Sequence, residues 1–403
     1  MLHFSTTVIL ILLGGIVVVS YFFSIISNYL KIPSVLLLLA AGIIMRAIAD
    51  AQGWTLPIPA KAVEFLGVIG TIMIVLEAGL DLELDKKKTK LISSAFLSAF
   101  FILILSMTAV STVLYYWLHE PVRNCIVYSI PLSIMSSSIV LPSLHHLTER
   151  KKEFLVYEAS LSDILGILLF NYFIGSEIVS AHAVGSFFLN ILIAVIFSII
   201  FSVLLFITLT KTNMNVKFFL VFALLIILYE TGKLINLPSL IIILVFGLLM
   251  NNWHLIKLPK LDALFPAEKV KEATRLLHSI TAESSFLVRT FFFLIFGYSI
   301  NLSAIASSNI ILIGSAIVVI LFMIRFLYLR FFIKESVYPE VFFIPRGLIT
   351  IMLFYKIPES YHPEKLQGGI LFFIVIVTGL IMMLGMIFYK KKKAEVVEEQ
   401  LLK

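Results

Sequence analysis

Seven ionisable side chains lie inside stretches that are otherwise apolar. A charged group in the core of a bilayer costs about 2.5–3.5 kcal/mol on insertion scales, so each of them is a candidate for function. They are Glu77, Glu158, Asp163, Glu230, Arg289, Arg325 and Arg346. Acids and bases in such surroundings can bind a cation, carry a proton or neutralise one another.

Two of these carboxylates, Glu158 and Asp163, share one apolar segment. Five residues of helix, each turning the chain by about 100°, place them about 140° apart around the axis. They therefore cannot share one partner. One can form an ion pair with an arginine of another helix while the other faces a water-filled cavity. A purely structural ion pair fits Glu158 well and Asp163 poorly.

The composition requires lipid around most of the chain. Hydrophobic residues make up 60% of the 403 residues, charged residues only 14%, and the mean hydropathy is +1.07. Soluble globular chains carry about 25% charged residues. Because a spanning helix needs about 20 mainly apolar residues, we predict an all-α polytopic membrane protein with thirteen transmembrane helices. Their ranges are 5–27, 33–50, 62–82, 91–117, 123–145, 153–178, 185–210, 216–234, 237–253, 282–301, 308–330, 339–357 and 367–389.

The positive charges predict the orientation. With the amino terminus outside, most of the 31 Lys and Arg residues fall in the inner loops, as the positive-inside rule requires. The carboxyl terminus is then cytoplasmic, in a multi-pass protein of the cell (inner) membrane. This placement also accounts for the pI near 9.2 without a nucleic-acid partner. A single cysteine, Cys125, excludes an internal disulfide and a multi-cysteine metal site, and no resident cofactor is expected.

An internal repeat joins the two halves of the sequence. One pattern, a Pro-Ser pair followed by Gly and Met, occurs twice at an offset of 205 residues, as Pro33-Ser34, Gly42 and Met45 and as Pro238-Ser239, Gly247 and Met250. A weaker echo relates the segment from Gly79 to the segment from Gly297. Since seven spans separate the copies, they cross the membrane in opposite directions. Inverted repeats of this kind are typical of alternating-access transporters.

We therefore predict one membrane transport domain over 1–403. Its first inverted repeat covers 33–178, linker helices cover 179–236, the second repeat covers 237–390, and a short cytoplasmic tail covers 391–403. The polar, mixed-charge stretch 254–281 is expected to form an amphipathic helix on the inner surface.

Two predicted spans carry signs of interruption. The fifth has Ser136, Ser137 and Ser138 between two prolines, and the twelfth contains Pro345-Arg346-Gly347. Hydroxyls and freed carbonyls at such a break can coordinate a small cation. Arg346 can neutralise the carboxyl ends of the half-helices, where carbonyl dipoles point. A proline kink relieved by serine is the simpler alternative.

The pattern Glu-x-x-x-Ser-Asp in the sixth of thirteen spans resembles the monovalent cation/proton antiporter superfamily, the sodium/proton exchangers. The resemblance covers nearly the whole chain and implies two crossing, interrupted helices and a homodimer. It also implies that Asp163 binds Na+ and the proton in turn, and that Glu158 pairs with Arg325. The motif Glu-x-Gly-Leu, which begins at Glu77, matches as well.

The sequence departs from that family at the candidate site. Ser162 precedes the carrier aspartate where many members have Asn or a second Asp, and Ala159, which offers no oxygen, stands where some exchangers have a Ser after the glutamate. The coordination shell is then expected to be Ser136, Ser137, Ser138, Ser162 and Glu77. With Glu158 held by Arg325, one titrating carboxylate predicts electroneutral exchange. Many relatives have Thr-Asp at the place of Ser137-Ser138. The two serines instead resemble the potassium-efflux branch.

The sequence therefore favours a secondary antiporter that exchanges Na+ or Li+ for H+ by alternating access. A K+/H+ antiporter and a sodium-coupled organic-anion carrier are the alternatives. An intramembrane enzyme is not expected, because the sequence has neither a paired-aspartate protease pattern nor His-Glu-x-x-His.

Overall fold

The described part of the chain is built from helices alone. A computed structural model describes residues 6–30, 32–53, 60–175, 181–211, 218–235, 237–255, 267–300, 307–333, 337–358, 361 and 369–401, and none of these residues lies in a strand. Helices suit a membrane protein because each one satisfies its own backbone hydrogen bonds where no water is present.

The helices follow the predicted spans and confirm the all-α architecture. In chain order they are α1 (Thr6–Leu30), α2 (Ser34–Ala51), α3 (Ala60–Asp81), α4 (Thr89–Leu118), α5 (Val122–Ser133), α6 (Ser137–Val140), α7 (Glu149–Ile174), α8 (Ala181–Lys211), α9 (Phe218–Leu234), α10 (Ser239–Asn251), α11 (Ala267–Ser299), α12 (Ser308–Tyr328), α13 (Leu348–Tyr355) and α14 (Gly369–Leu401). Seven membrane-crossing candidates, judged by length and composition alone, occur among the described residues. The chain is a multi-pass membrane protein.

One expectation about helix ends was wrong. The stretch 267–281 is not a separate surface helix, because α11 runs without a break from Ala267 to Ser299. No proline or glycine occurs between Ala267 and Gly297 to end it. Residues 256–266 of the predicted surface helix lie outside the described residues. The predicted tail is also helical as far as Leu401, since α14 continues through it.

The chain forms two compact units. The first contains Met1–Glu64, Leu91–Gly166 and Arg289–Lys403, and the second contains Phe65–Lys90 and Ile167–Val288. Each unit is assembled from separate stretches of sequence, so long-range packing defines both of them.

The repeated Pro-Ser pairs have the same local structure. In α2 the N–H of Leu36 donates to the carbonyl of Pro33 at 3.0 Å, and in α10 the N–H of Ile241 donates to that of Pro238 at 2.9 Å. Each helix starts directly after its proline, which occupies the N-cap position in both copies.

The repeated glycines make close helix contacts in a crossed pattern. Within the first unit a Cβ on Gly42 would lie 2.9 Å from the Cα of Gly297. Within the second unit a Cβ on Gly79 would lie 3.1 Å from the Cα of Gly247. In the first unit, the first copy of the Pro-Ser-Gly-Met pattern (Gly42) thus packs on the second copy of the weaker echo (Gly297). In the second unit, the first copy of the echo (Gly79) packs on the second copy of the Pro-Ser-Gly-Met pattern (Gly247). The inverted repeat itself stays a prediction.

The contact at Gly42 gives a stability prediction. Gly42→Ala should lower the free energy of unfolding by about 1–3 kcal/mol, because the new methyl group meets backbone that cannot move aside. The measurement is thermal unfolding of the purified protein in detergent. Gly15→Ala in α1 is the matched control, since nothing lies within 4 Å of its Cβ position. Equal stability of the two variants would contradict the prediction.

Candidate functional site

Two helices of the first unit are interrupted, as predicted. The first break, 134–136, separates α5 from α6, and Pro131 in the last turn of α5 lacks the N–H that would continue the helix. The second break, 343–347, precedes α13, and Pro345 disfavours helical geometry at the residue before it. Both breaks leave backbone groups that need other partners in the membrane.

A backbone hydrogen bond joins the two interrupted segments, 134–136 and 343–347. Together these segments are called the crossing. The N–H of Ser136 donates to the carbonyl of Pro345 at 3.0 Å. Gly347 allows this approach, because a Cβ at that position would lie 2.8 Å from the Cβ of Ser136. Any larger residue at position 347 would push the two segments apart.

Arg346 lies inside the crossing and is 2% exposed. Its Nε donates to the carbonyl of Leu132 at 2.6 Å, in the last turn of α5, and one terminal nitrogen donates to the carbonyl of Ile344 at 3.1 Å. Its backbone N–H donates to the hydroxyl of Thr378 in α14 at 3.1 Å. The guanidinium therefore meets the negative end of the α5 dipole.

Glu158 and Arg325 form a buried bidentate ion pair. The two terminal nitrogens of Arg325 lie 2.8 and 3.1 Å from the two carboxylate oxygens, and both residues are 1% exposed. Ser98 of α4 donates its hydroxyl to the same carboxylate. Glu158 is thus fully neutralised within its own surroundings, as planar guanidinium-to-carboxylate geometry favours.

A hydrogen bond from Arg325 connects the buried ion pair to a second ion pair, between Lys151 and Glu340. The Nε of Arg325 donates to the backbone carbonyl of Glu340 at 2.7 Å. The carboxylate of Glu340 accepts from the Nζ of Lys151 at 2.7 Å, and the same Nζ donates to the carbonyl of Tyr338. This network fixes the segment before the crossing to the start of α7.

A small cavity with a mainly apolar lining borders the pair. Its volume is about 10 Å³, which is room for about one water molecule. Glu158, Ser162, Arg325 and Arg346 line it. The cavity thus connects the ion pair with the crossing.

Asp163 has different surroundings from Glu158. It is 2% exposed, and its Oδ2 accepts a hydrogen bond from the N–H of Ser137 at 3.1 Å, at the start of α6. Its Oδ1 has no hydrogen-bond partner among the described residues. One oxygen is therefore held by the crossing, and the other offers its lone pairs to a ligand.

The predicted serines surround this point, and most of their hydroxyls have partners. Ser162 accepts from the N–H of Met135 at 3.0 Å, and the hydroxyls of Ser136 and Ser138 lie 2.8 Å apart. All of these side chains are buried. Glu77 is half-buried in α3 of the second unit and stays a predicted member of the site.

Sequence reasoning missed several contributors, of which Ser98 and Thr378 are the clearest. Both are hydroxyl residues in long, mainly apolar helices. For Ser98 a signal was available, since Ala95, Ser98 and Ala99 form a stripe of small residues at helical spacing that allows another helix to approach closely.

Comparison with known proteins identifies the family. The model of the transmembrane sodium/hydrogen exchanger family matches residues 15–389. The chain belongs to the sodium/hydrogen exchanger family. No sequence among the curated proteins matches this exchanger significantly.

Solved structures agree with the exchanger fold. The sodium proton antiporter MjNhaP1 from Methanocaldococcus jannaschii at pH 8 superposes with a TM-score of 0.70 at 18% identity, over 96% of this chain and 99% of that one. A second structure of the same antiporter, from an electron-microscopy map, gives a TM-score of 0.67 at 16% identity and covers 99% of both chains. At this identity the likeness concerns the fold.

The buried pair gives a prediction about coupling. Arg325→Leu should destabilise the exchanger by about 3–5 kcal/mol, because it leaves a buried carboxylate without its partner. The double variant Glu158→Leu, Arg325→Leu should lose clearly less than the sum of the two single variants. Thermal unfolding in detergent measures all three.

Arg46→Leu is the matched control for this cycle. Arg46 pairs with Asp50 in α2 where both side chains are substantially exposed. Such a surface pair contributes about 0–1 kcal/mol. Additive losses from Glu158→Leu and Arg325→Leu would contradict the direct coupling.

Proposed function

We propose that this chain is a secondary antiporter that exchanges Na+ or Li+ for H+ across the cytoplasmic membrane by alternating access. Family membership supports cation/proton antiport in general. The observation that carries the specific proposal is the contrast between the two buried carboxylates of α7. Glu158 is neutralised by Arg325, whereas Asp163 keeps an oxygen with no hydrogen-bond partner among the described residues.

In this mechanism Asp163 is the carrier. Its ionised form binds the cation through Oδ1, and its protonated form carries the proton, so the two substrates compete for one carboxylate. Oxygen ligands replace part of the hydration shell of an alkali cation, as backbone carbonyls do in ion channels. Because a bare carboxylate is costly in a bilayer, only the cation-bound or protonated site should cross.

The interrupted helices suit this role. One backbone bond joins the two breaks, and Arg346, Ser162 and Thr378 bond further backbone groups there, so polar groups at the crossing find partners within the protein. The inverted repeat, which the crossed glycine contacts favour, supplies the symmetry that an alternating-access protein needs. We further propose that two copies form a dimer, as the family resemblance implies.

Asp163→Asn should abolish cation-evoked proton flux. The amide keeps the size of the side chain and can still accept from the N–H of Ser137, but it can neither carry a proton nor balance a cation. The measurement is a pH-sensitive dye in proteoliposomes, with Na+, Li+ and K+ added in turn. Asp50→Asn is the matched control, since Asp50 is exposed in α2.

The outcomes separate the candidate functions. Flux that survives in Asp163→Asn contradicts the carrier role. Flux with K+ but not Na+ selects the potassium exchanger. An absence of cation-evoked flux in the native protein rejects antiport and favours the sodium-coupled carrier of organic anions.

One exchanging carboxylate predicts electroneutral transport. The final pH difference across the vesicle membrane should match the imposed Na+ gradient and should not change when a diffusion potential of about 100 mV is applied. An electrogenic cycle that moves one net charge would shift that equilibrium by about 2.3 kcal/mol, or about 50-fold. A potential-dependent pH difference would therefore reject one-for-one exchange.

A further inference from the structure

Ser160 lies one helical turn before Asp163 in α7. Residues three apart in a helix are neighbours on one face, with Cβ atoms about 5–6 Å apart. Ser160 is 0% exposed, and neither its hydroxyl nor Oδ1 of Asp163 has a hydrogen-bond partner among the described residues. Two buried oxygens with unused lone pairs therefore occupy adjacent positions on α7.

Ser160 carries one of five buried hydroxyls without a partner among the described residues, with Ser106, Thr281, Ser285 and Thr350, and it is the one among them on α7. A buried helical serine commonly donates to the carbonyl four residues earlier. Ser133, Ser143 and Ser202 each do so here, at 2.7–2.9 Å. A buried hydroxyl without a partner destabilises the folded protein, so its retention beside Asp163 calls for a reason.

The position of Ser160 on the helix separates it from the structural ion pair. Ser160 lies about 60° from Asp163 around the α7 axis, whereas it lies about 160° from Glu158. Its hydroxyl therefore belongs to the face of Asp163 and not to the face that Arg325 covers.

The other serines near the carrier are already engaged in holding the crossing. Ser162 accepts from Met135, Ser136 and Ser138 bond to each other, and the N–H of Ser137 donates to Asp163. The hydroxyls of Ser162, Ser136 and Ser138 already use part of their hydrogen-bonding capacity in these bonds, whereas the hydroxyl of Ser160 makes no bond among the described residues.

We propose that Ser160 is a ligand of the transported cation, with its Oγ and Oδ1 of Asp163 binding the same ion. This inference rests on the proposed antiport function. A hydroxyl suits both loaded states because its oxygen has lone pairs that can bind either a cation or an O–H group. It offers a lone pair to the cation, and when Asp163 is protonated it accepts the carboxyl O–H.

Two substitutions test this role by KM and by cation selectivity in the proteoliposome assay. Ser160→Ala should raise the KM for Na+ about 3- to 10-fold and leave kcat nearly unchanged, since one neutral oxygen ligand is lost. Ser160→Cys keeps the shape but presents soft sulfur, which favours soft cations. In Ser160→Cys the KM for Na+ should rise, and the ratio of the KM for Tl+ to the KM for Na+ should fall.

Ser198→Ala in α8 is the matched control. Ser198 is also 0% exposed, and its hydroxyl bonds the carbonyl of Ile242 within the second unit. This variant should lose stability while it keeps the native KM and the native Na+ to Tl+ preference. A second readout is the rise in melting temperature that Na+ produces, which should shrink in Ser160→Ala only.

Each result decides the question. An unchanged KM and an unchanged Na+-induced stabilisation in Ser160→Ala, with an active native protein, would overturn the proposal and leave Ser160 a packing residue. A raised KM in Ser160→Ala without any change of selectivity in Ser160→Cys also overturns direct coordination. If the native protein shows neither flux nor cation-induced stabilisation, the antiport proposal fails first and the ligand role fails with it.

Discussion

The hydrogen bond between Ser136 N–H and the carbonyl of Pro345 is the contact on which the candidate site depends. A helix that is broken within a membrane exposes backbone groups that cost several kcal/mol each if they stay unpaired. Two broken helices that cross can satisfy each other, and Arg346 supplies the remaining positive charge beside the carbonyl of Leu132. The crossing thus places polar groups in the interior and bonds several of them to other parts of the protein.

That interior allows one helix to hold two carboxylates with different roles. Glu158 is saturated by a guanidinium and a hydroxyl, which makes it a neutral structural element. Asp163 receives a single backbone N–H from the crossing, so its charge is oriented but not cancelled. The difference follows from the 140° that separates the two residues on α7, because each faces a separate set of helices.

Some of this arrangement could be predicted from the sequence. Length and hydropathy predicted the spans, and the prolines with Gly347 predicted where two of them break, since these residues act on their own backbone. The partner of a buried side chain is harder to predict. Ser98 and Thr378 carry no local signal that names the helix they face, and the Glu158–Arg325 pair was expected only through the family resemblance. The open hydroxyl of Ser160 became visible only when the partners of its neighbours were known.

The bonds of the first unit also constrain how α7, which holds Asp163, could move in the proposed transport cycle. Ser162 holds Met135, Asp163 holds Ser137, and Arg325 holds both Glu158 and the segment that leads into the second break. Lys151 adds an ion pair from the start of α7 to Glu340 in that same segment. In the proposed alternating-access mechanism, a step that slid α7 past the crossing would break all of these bonds at once, and most of the groups that they join are buried. We therefore expect α7, α12 and the two broken helices to move together, so that Asp163 keeps the same surroundings on both sides of the membrane.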